Sequence, residues 1–183
     1  MLGGEGHVVS ADTYKGSVAR SALENGAEIV NDISGLTLGG DAAEAAARAG
    51  AGYVLNYSYS VPKRRPNAPP DYGDVVAERH WAGWWSAWTN CRPGMPRASI
   101  AIDPGIAFGK SHDEDLQVLR RIGELRTPGL PLLLAHSRKN FIGSVNGHEP
   151  ADRDPETHAI TALAAARARR CSACTTRRVP AER

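Results

Sequence analysis

The 183-residue chain is poor in cysteine, phenylalanine, methionine and lysine, with three, two, two and four of each. The cysteines exclude most metal or redox chemistry. Cys171-x-x-Cys174 has the spacing of a redox pair or half a zinc site, but the other half is missing and Cys91 stands alone. None of the six histidines falls in a metal spacing such as H-E-x-x-H, so no metal ligand is assigned. No apolar run approaches the ~18 residues of a membrane span. The opening Met1-Leu-Gly-Gly-Glu-Gly lacks the basic and apolar regions of a secretory signal. A net charge of +2, with both signs mixed along the chain, gives no footprint for nucleic acid or an anionic membrane. These absences lead us to expect a cytoplasmic protein acting on small molecules.

What is present suits one globular domain over residues 1–183: 42% apolar, 23% charged, 19 glycines and 12 prolines. Arginine outnumbers lysine, and alanine and glycine abound, the mark of a GC-rich gene. The four tryptophans (Trp81, Trp84, Trp85, Trp88) and Cys91 crowd into one stretch.

Short apolar runs alternate with helical patterns. Val8–Asp12, Glu28–Ile33, Tyr53–Tyr57, Ser99–Asp103 and Leu130–Ala135 read as buried strands. Between the first two, Tyr14–Asn25 is predicted helical, with Val18, Ala19, Ala22 and Leu23 on one face and Gly26 as the stop. Asp41–Arg48 is predicted as a second helix, opened by a capping-box variant, Asp41-x-x-Glu44, and closed by Gly50. A loop with Pro62, Pro66, Pro69 and Pro70 precedes a poorly patterned segment, Asp74 to about Arg92, where a helix is due. Leu116, Leu119, Ile122 and Leu125 form the next helical stripe, with acids in its first turn and arginines towards its end. Thr157–Ala166 is a further helix. Strands alternating with helices imply right-handed βαβ units and a parallel sheet.

In such folds ligands bind beyond the C-terminal ends of the strands. Asp12, Asn31 with Asp32, Asn56, Asp103 and Ser137-Arg138-Lys139 all follow apolar runs. A lone aspartate there is usually a turn or cap residue; five successive strands ending alike point to a polar rim. Asp103-Pro-Gly-Ile-Ala-Phe-Gly-Lys-Ser111 superficially suggests a phosphate loop, but only three residues separate Gly105 from Gly109 where a Walker loop has four. Lys110 is therefore read as a loop cation. The adjacent cations Arg138 and Lys139 suit either an anion, a heterocycle carbonyl or a solvated loop.

Ala11-Asp-Thr-Tyr-Lys15, Ile29-Val-Asn-Asp-Ile-Ser-Gly35, Ile102-Asp-Pro-Gly-Ile-Ala-Phe-Gly-Lys110 and Ser137-Arg-Lys-Asn-Phe-Ile-Gly143 together resemble dihydropteroate synthase, in order and approximate spacing, from Val8 to Ala166. The resemblance implies an α/β fold of the TIM-barrel, (β/α)8 type, here incomplete, with about five parallel strands. It implies a transferase of folate biosynthesis that joins p-aminobenzoate to a dihydropterin methyl diphosphate, with Mg²⁺ as cofactor, and it allows a homodimer. Carried over residue by residue, Asp12, Asn31 and Asp103 would bind the pterin ring and Lys139 its carbonyl. Phe108 and Ser137 would flank the aminobenzoate, with Arg138 beside them in the substrate-binding set. Asp103 and Lys139 would be the catalytic pair, the carboxylate stabilising charge that develops on the ring.

Departures from the family pattern are equally visible. The chain opens at what the family would count as its third strand, without the usual metal-binding Asn. Asn56-Tyr57 replaces a common Met-His, and Ala107 replaces a common Gly. Residues 1–166 are family-like. The tail, 167–183, lacks a predicted strand and the family's Arg-x-His, and is expected to be disordered. Writing Arg167–Thr176 in GC-rich codons and skipping two bases yields a family-like strand. The same operation on Trp85–Gly94 yields an amphipathic helix, so frame slips are expected at both places and resequencing the gene tests them. The alternatives are a non-catalytic remnant or translated pseudogene, and a pterin-binding methyltransferase relative. Ser137-Arg-Lys139 favours the synthase over the methyltransferase.

Overall fold

The computed structural model describes residues 6–58, 74–77, 89, 94–126, 129–168 and 171–173. Six strands form one sheet: β1 (Ser10–Asp12), β2 (Ile29–Asp32), β3 (Gly52–Asn56), β4 (Ile100–Asp103), β5 (Leu132–Leu134) and β6 (Cys171–Ala173). They lie in chain order and every pairing is parallel. The described helices are α1 (Gly16–Glu24), α2 (Asp41–Ala49), α3 (His112–Arg120), α4 (Asn140–Asn146) and α5 (Asp154–Arg167). This is the expected α/β architecture of TIM-barrel type, with the barrel incomplete. It has one strand more than the five expected, because the backbone of 171–173 pairs with β5 and corrects the reading of a tail with no strand. The prolines at 62–70, the tryptophan stretch 81–88, Cys91 and the tail beyond 173 lie outside the described residues, as do the packing expectations attached to them.

Register assigns the side chains to two faces, since parallel partners point the same way and alternate residues opposite ways. Val30, Asp32, Tyr53, Leu55, Ile100, Ile102, Leu132 and Leu134 share one face, and all are buried. Asp12, Asn31, Val54, Asn56 and Asp103 share the other. Within the first face the Tyr53 hydroxyl donates to Asp32 Oδ2 at 2.6 Å, and the Ser34 amide donates to Oδ1 at 2.7 Å. Asp32 is thereby committed to the core and to the turn after β2.

Two local expectations are corrected. Val18 is exposed while Ala19 is fully buried, because adjacent helical residues lie about 100° apart and the covered stripe runs through Gly16 and Ala19. Asp41 is the first helical residue and Gly40 the N-cap, without a side-chain cap bond, so no capping box opens α2. A complete capping box opens α3 instead: the Glu114 amide donates to Ser111 Oγ, and the Ser111 amide to Glu114 Oε2.

Candidate active site

The five strand ends deliver their polar groups to one rim because the strands are parallel. Asp12 and Asn31 are register partners at the ends of β1 and β2, and Asn31 Nδ2 donates to Asp12 Oδ1. The Asn31 Oδ1 atom is buried with no hydrogen-bond partner. Asn56 and Asp103 are partners at the ends of β3 and β4, on the same face. Asn56 Oδ1 is likewise buried and unpartnered.

Asp103 is 3% exposed, and its Oδ1 accepts the Gly105 amide at 2.7 Å. Burial pushes its carboxyl up to about 6. The Gly105 amide and the Lys139 and Lys110 ammonium groups oppose that rise, whereas the Asp12 carboxylate adds to it.

The segment after Asp103 is tightly folded. Gly105 takes φ +63°, and a Cβ there would stand 1.9 Å from the Tyr57 carbonyl oxygen and 2.5 Å from Asn56 Oδ1. Only glycine fits. The loop then brings the Ile106 carbonyl to Lys139, whose Nζ donates to it at 2.5 Å. The same ammonium lies 4.9 Å from the centre of the Phe108 ring. Lys139 is thus held over the β4 loop rather than left in solvent.

The candidates from the Ser-Arg-Lys motif diverge. Ser137 and Arg138 form the turn after β5, with Arg138 at φ +53°. Its guanidinium turns to α5, where Nε donates to Asp154 Oδ1 at 2.5 Å and Nη2 to Oδ2. That bidentate pair raises the Arg138 pKa and fixes the side chain against α5. Asp12, Asn31, Asp103, Phe108 and Lys139 therefore gather at the rim, while Arg138 is engaged beside it.

Sequence reasoning missed two supporting residues. Arg153 is buried: Nη1 donates to the Arg138 carbonyl at 3.0 Å and Nε to the His148 carbonyl at 2.8 Å. Lys110, read as a loop cation, is fully buried. Both bind backbone carbonyls, which leave no side-chain pattern in a sequence; the available signal was a rare lysine closing a glycine-rich loop.

Among the described residues no three His, Cys, Asp or Glu side chains come together as a metal cluster. Of the two rim carboxylates, Asp12 receives Asn31, and Asp103 is buried on the Gly105 amide. This donor set does not fit the hard, oxygen-rich and largely hydrated shell of Mg²⁺, so no chemistry is routed through that ion.

A parallel α/β sheet with carboxylates, amides and a lysine on its C-terminal rim is the arrangement of barrel-type α/β folds, whose ligands bind at that rim. The sequence model of the family described as "Pterin binding enzyme" matches residues 2–172, and the chain belongs to that family. It is 38% identical over 170 residues to dihydropteroate synthase of Mycobacterium leprae, covering 90% of this chain and 60% of that protein. Dihydropteroate synthase of Xanthomonas albilineans, solved in complex with 7,8-dihydropteroate, superposes with a TM-score of 0.77 at 32% identity, over 94% of this chain and 62% of that one. The same enzyme with 4-aminobenzoic acid gives 0.81 at 32% identity, over 94% and 60%. The chain thus spans about 60% of the length of these relatives.

Proposed function

We propose that these residues form the pterin-recognition part of a dihydropteroate synthase-like transferase of folate biosynthesis. The observation that carries this reading is the buried, unpartnered Asn31 Oδ1 beside the Asp12 carboxylate, on the face that also bears Asp103. A buried acceptor without a donor costs about 1–3 kcal/mol, which a ligand N–H offsets on binding. A pterin edge alternates donors and acceptors, and carboxylates with an amide match both. Lys139 would donate to the ring carbonyl, and Phe108 and Ser137 would flank the aminobenzoate.

In the reaction the amine nitrogen of p-aminobenzoate bonds to the pterin methylene, the methylene C–O bond breaks, diphosphate leaves with the electron pair, and the nitrogen releases one proton to solvent or to the departing diphosphate. Positive charge grows on the ring as that bond weakens. Asp103 stabilises it, in a setting where low dielectric strengthens the effect. A cytoplasmic location and a homodimer belong to the same reading as expectations carried over from the family; the expected Mg²⁺ does not, because the rim's donor set does not fit it. The notable departure is Asn56, a polar residue beside Asp103.

Fluorescence titration with 6-hydroxymethylpterin is expected to give saturable binding that Asn31→Leu weakens about tenfold, the equivalent of one lost hydrogen bond. Assayed with both substrates and Mg²⁺, the 183 residues are expected to bind without turnover. No pterin binding by the folded chain refutes the recognition reading; product above an Asp103→Asn control refutes the expectation of inactivity.

A further inference from the structure

Lys110 is one of four lysines in the chain, and no part of it reaches solvent. An ammonium withdrawn from water is costly unless its donors are used and the site needs the charge. Its Nζ donates to the Gly105 carbonyl at 2.8 Å and to the Tyr57 carbonyl at 3.3 Å. It also lies 5.0 Å from the centre of the Tyr57 ring. One cation therefore ties the residue after β3 to the loop after β4.

The same two segments touch in two further ways, and a third bond closes the β4 loop on itself. The Tyr57 amide donates to the Asp103 carbonyl at 2.8 Å. The Gly105 Cα is packed against the Tyr57 carbonyl and Asn56 Oδ1 so closely that no Cβ fits. The Gly105 carbonyl, besides receiving Lys110, accepts the Phe108 amide at 3.0 Å. The turn that Lys110 grips thus ends on Phe108, and it includes Ile106, whose carbonyl receives Lys139.

We propose that Lys110 is a positioning residue of the pterin pocket: from beneath the rim it locks the Gly105–Phe108 turn onto β3, so that Ile106 and Phe108 hold Lys139. This deepens the reading of the pocket given above and rests on it for the identity of the ligand. Lys110 touches no ligand itself. It acts through the turn and through the field at Asp103, which the Lys139 ammonium and the Asp12 carboxylate also face.

The test compares the wild-type chain with Lys110→Met, which keeps the length of the stem and removes the charge and donors. Leu125→Ala, a core cavity in the short helical turn Ile122–Arg126, controls for destabilisation alone. The first measurement is ligand-free: ¹³C NMR titration of the Asp103 carboxyl, assigned by its loss in Asp103→Asn. Lys110→Met is expected to move that midpoint up by about one pH unit, as loss of a nearby cation does. It is also expected to speed amide exchange at Phe108 about tenfold relative to β4. Leu125→Ala is expected to move neither. Pterin affinity at neutral pH should fall in Lys110→Met and hold in the control.

An unchanged Asp103 midpoint, or an unchanged Phe108 exchange rate in a folded Lys110→Met, overturns the proposal. Should that variant not fold, the wild-type ¹⁵Nζ spectrum decides: a proton-exchange-protected Lys110 ammonium with contacts to Gly105 and Tyr57 supports it, and a freely exchanging one overturns it. If the wild type binds no pterin while the Asp103 and Phe108 results hold, the ligand assignment fails and the positioning role stands.

Discussion

Asp103 couples the pocket to the stability of the chain. Between its ordinary value of 3.8 and about 6, the folded protein retains a proton there that the unfolded chain releases. Stability therefore falls as pH rises across that window, and the cost is fully present above it. The shift corresponds to about 3 kcal/mol. Urea denaturation of wild type and Asp103→Asn should show the variant gaining up to that amount relative to wild type between about pH 4 and about pH 7. Asp74 behaves oppositely: its hydrogen bond with Arg121 holds its carboxyl down to about 2, so its contribution is present above 3.8 and lost as pH falls through about 2. The comparison stays above that range. Parallel curves for the two proteins would rule out the buried-carboxylate account.

A second residue-scale prediction concerns Ala107, which sits at φ +65° where the family commonly has glycine. A Cβ in that region is strained by about 1–2 kcal/mol, partly offset by glycine's greater freedom in the unfolded chain. Ala107→Gly is expected to stabilise by roughly 0.5–1 kcal/mol in thermal or urea unfolding, with the Ala107 amide still donating to Asp115 Oδ1. A destabilised variant would contradict it.

At the scale of elements, the loop between β5 and α4 is held from behind by α5 and the segment leading into it. Arg153 there binds the carbonyls of Arg138 and His148, and Arg138 binds Asp154. These contacts are unequal. Arg153→Met removes the buried donor shared by these part-buried carbonyls and is expected to cost about 1–3 kcal/mol while weakening pterin binding through Lys139. Arg138→Ala removes a partly exposed ion pair and is expected to cost up to about 1 kcal/mol with pterin affinity retained. Equal losses of affinity in both would show that Arg138 reaches the ligand.

The same loop marks how far the sequence could be read. Five of the six strands were legible because a buried strand leaves a short apolar run, and the rim because each run ended in a polar residue; β6, at Cys171–Ala173, was read as a strandless tail. Helix existence was legible for α1, α2, α3 and α5, but not for α4, whose seven residues are too few to show a period. Helix beginnings were less so: Asp41 and Ser111 both precede a glutamate by three residues, but a glycine stands before Asp41 and takes the cap. Arg153 escaped notice, and Lys110 was read only as a loop cation, because backbone carbonyls satisfy both and every residue type has one. Arg138 was read with Lys139 as a pair; the positive φ between β5 and α4 sends the two side chains in different directions.

For the molecule as a whole, the two faces of the sheet divide the work. One is sealed by apolar side chains beneath the helices, with Asp32 and Tyr53 as its bonded polar pair; the other carries the polar strand ends Asp12, Asn31, Asn56 and Asp103, proposed above as the ligand face. Among the described residues no helix is long and apolar enough to cross a membrane.

The strand order has a kinetic corollary. Each strand finds its partner in the strand immediately preceding it, and none waits for a segment from the far end of the chain. The entropy of closing each seam is that of a single βα unit. A ribosome releasing this stretch would therefore expose β1 before β2, and each later described strand would meet a template already laid down. Assembly would proceed like courses of brick, with the pterin rim growing residue by residue from Asp12 towards Lys139.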